Sequence, residues 1–283
     1  MTVLVDPQQL AARQRQGEPP VLLDVRWALG DSRGREQHAA GHLPGAVYVD
    51  LDAELAAPPS AAAGRHPLPD PADFQEAARR WGLSTGATVV AYDDAGGMAA
   101  ARAWWLLRWA GFDAVQLLDG GLAGWRSAGL PLETGEVHPP RGDVELGSGR
   151  MPVLDADDAA ALALGGSGVL LDARAAERYR GEVEPIDPRA GHIPGAVSAP
   201  TGANLDPVGR FLPAADLRRR FAALGVRGAA QVGVYCGSGV TAAHEIAALA
   251  VAGIDAALYP GSWSQWSADP TRPAATTTTT TRS

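Results

Sequence analysis

Short apolar runs alternate with stretches of helical period along most of the chain. In the C-terminal half, residues 169–171, 197, 232–235 and 257–259 are brief apolar segments bounded by Gly, Pro, Asp and Ser, the pattern of short strands. Between them, "AAERYR" at 175–180 opens a helix and "AADLRRRFAALGV" at 214–226 is amphipathic and stops at Gly225. A third helix is predicted over 242–252. Uninterrupted apolar strands interleaved with helices predict an α/β fold with a mostly parallel sheet covered on both faces. Ligands of such sheets gather where strands end and helices begin.

The same order of elements is written twice. "VLLDVR" at 21–26 recurs as "VLLDAR" at 169–174, and "GHLPGAV" at 41–47 as "GHIPGAV" at 191–197. "VVAY" at 89–92 matches "VGVY" at 232–235, and "LLDGGLAGW" at 117–125 matches "LYPGSWSQW" at 258–266. Four blocks in one order at a nearly constant spacing identify a duplicated domain. The copies are expected over 1–132 and 153–268, joined by a linker at 133–152, which is rich in Pro and Gly and has no periodicity. Residues 269–283, ending in a Thr run, are polar and of low complexity, and are expected to be disordered.

Composition narrows the class without adding chemistry. With 283 residues and 46% apolar positions, the chain can build two ordinary cores. No apolar run approaches a membrane span, and "MTVLVDPQQL" lacks the basic and apolar regions of a secretory signal, so no membrane partner and a cytoplasmic location are expected. Net charge is −8, and the 24 basic residues are all arginine, clustered only at 218–220, a poor basis for nucleic-acid binding. One cysteine cannot form an internal disulfide.

That cysteine marks the main difference between the copies. Aligned on Tyr92 and Tyr235, the first copy continues "DDAGGMAAARAWW" and the second "CGSGVTAAHEIAA", so Asp93 falls where Cys236 stands. Features in both copies are most simply structural, whereas features in one copy only are candidates for chemistry. Gly237 and Gly239 permit positive φ, and a turn at a helix N-terminus can aim several N–H groups inward. Such a cup stabilises a thiolate, and equally a persulfide on the same sulfur. The competing reading is a buried, inert thiol.

With these motifs, residues 3 to 268 resemble the tandem-domain sulfurtransferases of the rhodanese superfamily. "GHLPGA" and "GHIPGA" match its N-terminal signature, and "LYPGSWSQW" its C-terminal one, except that Gln265 replaces the usual acidic residue. The resemblance implies two rhodanese-like domains, the second catalytic through Cys236. "CGSGVT" is most like the 3-mercaptopyruvate sulfurtransferases, and Gly237, Gly239, Val240 and Thr241 would form the substrate-binding loop. Thiosulfate-preferring members carry a basic pair where Gly237 and Ser238 stand, so an uncharged loop tilts the expected donor toward mercaptopyruvate.

The resemblance casts further residues. Arg178 matches the arginine that binds the donor carboxylate, and Arg189 is the best match for a second. Ser238, with His42 and Asp31, would form a proton relay, although His42 and its twin His192 share a repeated motif and could both be turn residues. Thr241 caps the helix or donates to the sulfur, and His244 is a packing residue. His38, His66 and His138 show no metal spacing. Trp104, Trp105 and Trp109 read as core or domain-interface residues, and "DGG" at 119–121 as a turn. The expected partners are a small-molecule sulfur donor and a thiol acceptor such as a thioredoxin-like protein, with no cofactor. Alternatives are a thiosulfate:cyanide sulfurtransferase, a non-enzymatic sulfur carrier or interaction module, and a phosphatase. The last needs an arginine at the position of Ala242.

Overall fold

A computed structural model describes residues 2–277. The chain divides into two units. In the first, strands β1 (Leu4–Val5), β2 (Val21–Asp24), β3 (Val47–Tyr48), β4 (Val89–Tyr92) and β5 (Val115–Leu118) form one sheet in the order β1-β5-β4-β2-β3, with every pairing parallel. Its helices are α1 (Pro7–Arg15), α2 (Gly34–Ala40), α3 (Leu51–Glu54), α4 (Pro71–Arg80), α5 (Ala100–Trp109) and α6 (Gly121–Ser127). Trp104, Trp105 and Trp109 on α5 are buried, as expected of core residues.

The second unit repeats the plan. Helix α7 (Ala156–Leu164) starts at a capping box between Asp155 and Asp158. It is followed by β6 (Gly168–Asp172), α8 (Ala176–Arg180), β7 (Val197–Ser198), a 3₁₀ turn at Thr201–Asn204, α9 (Ala214–Ala223) and β8 (Gln231–Tyr235). Helix α10 (Val240–Val251), β9 (Ala257–Leu258) and α11 (Ser262–Ala268) complete it. The strand order is β7-β6-β8-β9, again all parallel. An isolated parallel bridge from Val153 to Leu258 takes the place that β1 has in the first sheet.

Both connecting segments are fastened by backbone hydrogen bonds, and part of the tail expected to be disordered is ordered. The stretch predicted as a linker at 133–152 packs almost entirely with the first unit: Gly142 N–H donates to Arg79 O, Gly147 N–H to Ala110 O and Arg150 N–H to Trp109 O. Part of the tail is placed as well. Ala275 and His192 exchange backbone hydrogen bonds at 2.8 and 2.9 Å, and Thr277 N–H reaches Arg180 O, whereas 278–283 lie outside the described residues. The first unit shows the same device, with Glu133 paired to His42. Backbone pairing of this kind requires no apolar side chain, which is why composition misses it.

The units also exchange a loop. Pro58–Pro67, from the first repeat, folds with the second unit, and Leu205–Leu212, from the second repeat, folds with the first. The exchanged loops align as "GRHPLP" at 64–69 and "GRFLP" at 209–213.

Candidate functional site

Strand β8, buried from Val232 onward, runs into Cys236, which lies at the carboxyl edge of its sheet. Gly239 N–H donates to Cys236 Sγ at 3.1 Å. Gly239 is the N-cap of α10 at φ +80°, and a Cβ there would sit 2.7 Å from Pro260 O, so glycine is required twice over. No side chain caps α10, and the thiol therefore lies at the positive end of a twelve-residue helix. Thr241, a capping candidate, does not fill that role. Val240 is buried in the first turn.

The loop is braced from α11. Ser262 has φ +53°, a conformation disfavoured for a residue with a Cβ. Its hydroxyl accepts Cys236 N–H at 3.1 Å and donates to Tyr259 O at 2.8 Å, while Trp263 N–H donates to Cys236 O. The matching residue of the first unit is Gly121, at the same φ. A serine in this conformation fixes the amide of the cysteine from behind.

Gly237 is not a positive-φ residue, contrary to the sequence expectation. Space explains it instead. A Cβ on Gly237 would lie 2.9 Å from Arg65 Nη2 and 3.5 Å from Arg178 Nη1. Two guanidiniums therefore flank a loop that carries no charge of its own. Arg178 donates to Glu184 Oε1 at 2.6 Å and to Asp187 Oδ2 at 3.2 Å, and Arg65 is ion-paired with the other oxygen of Asp187. Burial pushes the Asp187 carboxyl up, and Arg65 pulls it back. Glu184 also meets Arg174 at 3.4 Å, which itself clasps the buried Asp172.

Ser238, also buried, has a partner that sequence reading did not supply. His66 Nδ1 lies 2.7 Å from Ser238 Oγ. The expected relay through His42 and Asp31 is corrected accordingly. His42 Nδ1 is engaged by His38 O at 2.9 Å, with its ring stacked on His38 at 4.0 Å. Its twin His192 repeats the arrangement, with Nδ1 on Tyr179 O and a stacked ring, so both histidines secure the repeated turn. Asp31 is paired with Arg33, whose hydrogen bonds hold its carboxyl well below the usual range.

Arg189 is corrected too. Its guanidinium donates to four carbonyls, those of Ser267, Arg272, Trp266 and Asp269, closing the carboxyl end of α11. Those hydrogen bonds use four of the five N–H donors of the fork, so the side chain is built into the helix end rather than free to grip a carboxylate bidentately. His244 is buried against Thr201 Oγ1 at 2.7 Å, a packing role as expected. Gln265, standing where the family signature has an acid, donates from Nε2 to Ala62 O at 2.6 Å and accepts from Tyr259 OH at 2.7 Å. A carboxylate could accept but could not donate, so glutamine fastens the exchanged loop. Among the described residues, no group of three or more His, Cys, Asp or Glu could hold a metal ion.

A thiol at a helix N-terminus, beside a hydroxyl–imidazole pair and two arginines, can attack an anionic donor and carry the transferred group on sulfur. The fold is that of α/β proteins that carry their candidate chemistry at the strand ends of a parallel sheet. The chain belongs to the rhodanese-like domain family, which matches it over residues 6–128 and again over 155–269. It is 51% identical over 281 residues to a probable 3-mercaptopyruvate sulfurtransferase of Pseudomonas aeruginosa, covering 96% of this chain and 98% of that one. It is 49% identical over 276 residues to the putative thiosulfate sulfurtransferase SseB of Mycobacterium tuberculosis, covering 96% of each. The crystal structure of SseA from Escherichia coli, described with the 3-mercaptopyruvate sulfotransferases, superposes with a TM-score of 0.82 at 34% identity, covering 93% of this chain and 99% of that one.

Proposed function

We propose that the protein is a sulfurtransferase that takes sulfur from 3-mercaptopyruvate onto Cys236 as a persulfide, releases pyruvate, and passes the sulfur to a thiol or to cyanide. The observation that carries this reading is the environment of Cys236 Sγ: an amide at 3.1 Å, a helix N-terminus behind it and Arg178 beside Gly237. Arg178 receives the donor carboxylate. The Cys236 thiolate attacks the donor sulfur, a new S–S bond forms, and the carbon–sulfur bond breaks with its electron pair on carbon. The donor's thiol proton moves to that carbon, so pyruvate leaves as the ketone and the persulfide stays as an anion. No outside oxidant or reductant enters the balance. Ser238 and His66, in contact at 2.7 Å, carry the proton.

The printed names of the relatives include both 3-mercaptopyruvate and thiosulfate sulfurtransferases, so thiosulfate is the second reading, with sulfite leaving. Two guanidiniums beside Gly237 give this donor some footing. Asp187 and Glu184 offset their charge, which favours a carboxylate monoanion over a dianion. A thiol acceptor, a small protein of thioredoxin type among them, accords with a reducing cytoplasm that keeps the single thiol active. No helix among the described residues is long and apolar enough to cross a membrane.

The test is a steady-state comparison of donors. The reading predicts a kcat/KM for 3-mercaptopyruvate at least about tenfold above that for thiosulfate. The reverse order would move the assignment to thiosulfate, and no turnover with either would remove it.

A further inference from the structure

Arg189 is closed off by carbonyls, so the site has one arginine from its own repeat, Arg178. The exchanged loop delivers another. We infer that Arg65 is a substrate-binding residue that grips the donor's anionic end together with Arg178, its guanidinium lying over Gly237 where the missing Cβ leaves it room. The inference rests on the function proposed above and adds a residue to it.

Three observations carry it. First, Arg65 Nη2 and Arg178 Nη1, the atoms nearest Gly237, make no hydrogen bond among the described residues, and Nε of both side chains is buried without a partner. Buried guanidinium donors left unbonded are costly unless a ligand satisfies them. Second, the two forks are tied together on the side away from the loop. Asp187 gives one oxygen to Arg65 and the other to Arg178, which fixes their spacing before any donor arrives. Third, the backbone under Arg65 is fastened. Arg65 N–H donates to Ser264 Oγ at 3.1 Å, Gln265 Nε2 donates to Ala62 O, and a Cβ on Gly64 would lie 2.7 Å from Gly261 O.

The chemistry suits a 2-oxo acid. Its carboxylate and adjacent carbonyl present three oxygens in a plane, more than one fork can engage, and two converging forks can share them. In the first unit the matching Arg210 lies with its stem 3.3 Å from where a Cβ on Gly120 would be, in a domain without a thiol. Asp187 acts through the arginines and is a positioning residue.

The test uses the full chain with Arg65→Gln and Arg65→Lys, and two readouts. In turnover with 3-mercaptopyruvate, Arg65→Gln raises KM about tenfold or more, as expected for a lost charge-assisted contact, with a smaller change in kcat, and Arg65→Lys recovers part of the loss. Without any donor, the single cysteine is alkylated with iodoacetate and with iodoacetamide, reagents that differ in a carboxylate. The iodoacetate-to-iodoacetamide rate ratio falls about tenfold in Arg65→Gln if the guanidinium attracts anions. A merely structural arginine would slow both reagents alike. A KM and an alkylation ratio within about twofold of wild type in Arg65→Gln would overturn the inference. If the wild type fails to turn over mercaptopyruvate, the proposed donor falls, while the alkylation ratio still decides whether Arg65 binds anions at the loop.

Discussion

Asp93 and Cys236 occupy the same place, the step from the second-to-last strand of each unit toward its long helix, yet their surroundings differ. Asp93 is fully buried and its carboxylate accepts four N–H groups, from Ala95, Gly97, Ala99 and Ala100, all at 2.8 or 2.9 Å. Burial pushes that carboxyl up and the four amides pull it down. In the second unit the helix begins sooner after the strand, and the loop closes on a sulfur that receives one amide at 3.1 Å. Both loops turn backbone N–H groups toward an acceptor atom at a strand end. The first is filled by the chain's own carboxylate, whereas the second holds an atom that can gain and lose a partner. The exchanged loops follow suit: "GRHPLP" brings His66 to Ser238, whereas "GRFLP" brings Phe211, a side chain that carries no proton to transfer, to the first unit.

Substitutions that trade these features should have graded effects. The largest is expected from Cys236→Asp, which copies the first loop into the second. Turnover should fall by at least about 10⁴-fold while the protein still folds, as activity and circular dichroism together would show. Asp93→Asn keeps the shape but turns an amide NH₂ toward backbone donors. It should cost about 2 kcal/mol of stability in denaturant titrations and leave kcat/KM within about twofold.

The smallest effect concerns the helices after the loops, where Arg102 and Glu245 hold equivalent buried positions. Burial pushes the Glu245 carboxyl up to about 7 from 4.5, offset in part by Arg220, and Oε1 has no hydrogen-bond partner among the described residues. A folded-state value above the unfolded one means that the native protein holds this proton longer. Its contribution therefore favours folding at low pH and is lost as pH rises from 4.5 through 7. Glu245→Gln removes that slope. Thermal melts should show the variant a few degrees more stable than wild type at pH 8, with the gap closing toward pH 5.

Much of this was legible in the chain itself. Doubled blocks such as "VLLDVR" and "VLLDAR" announce two parallel sheets, and the contrast of "YDDAGG" with "YCGSGV" isolates the reactive loop. Arg178, singled out by the motif, has its guanidinium beside Gly237. Arg65 and His66 were missed because they reach the loop from a segment remote in sequence that folds with the other unit. The signal was nonetheless present. "GRHPLP" and "GRFLP" are a further repeated block, and a histidine matched by a phenylalanine is the kind of copy-specific difference that singles out Cys236. Arg189 and His42 went astray for one reason: a motif match gives a residue type at a position, whereas carbonyls closing a helix end and stacked rings decide what the side chain does.

The central claim is that the Cys236 loop stores sulfur, and the intact mass of the protein tests it directly. After incubation with 3-mercaptopyruvate and no acceptor, the wild-type chain should be heavier by one sulfur atom, located on its sole cysteine, and should return to its original mass when a small thiol is added. Release of pyruvate with the mass of the protein unchanged at every time point would contradict the account.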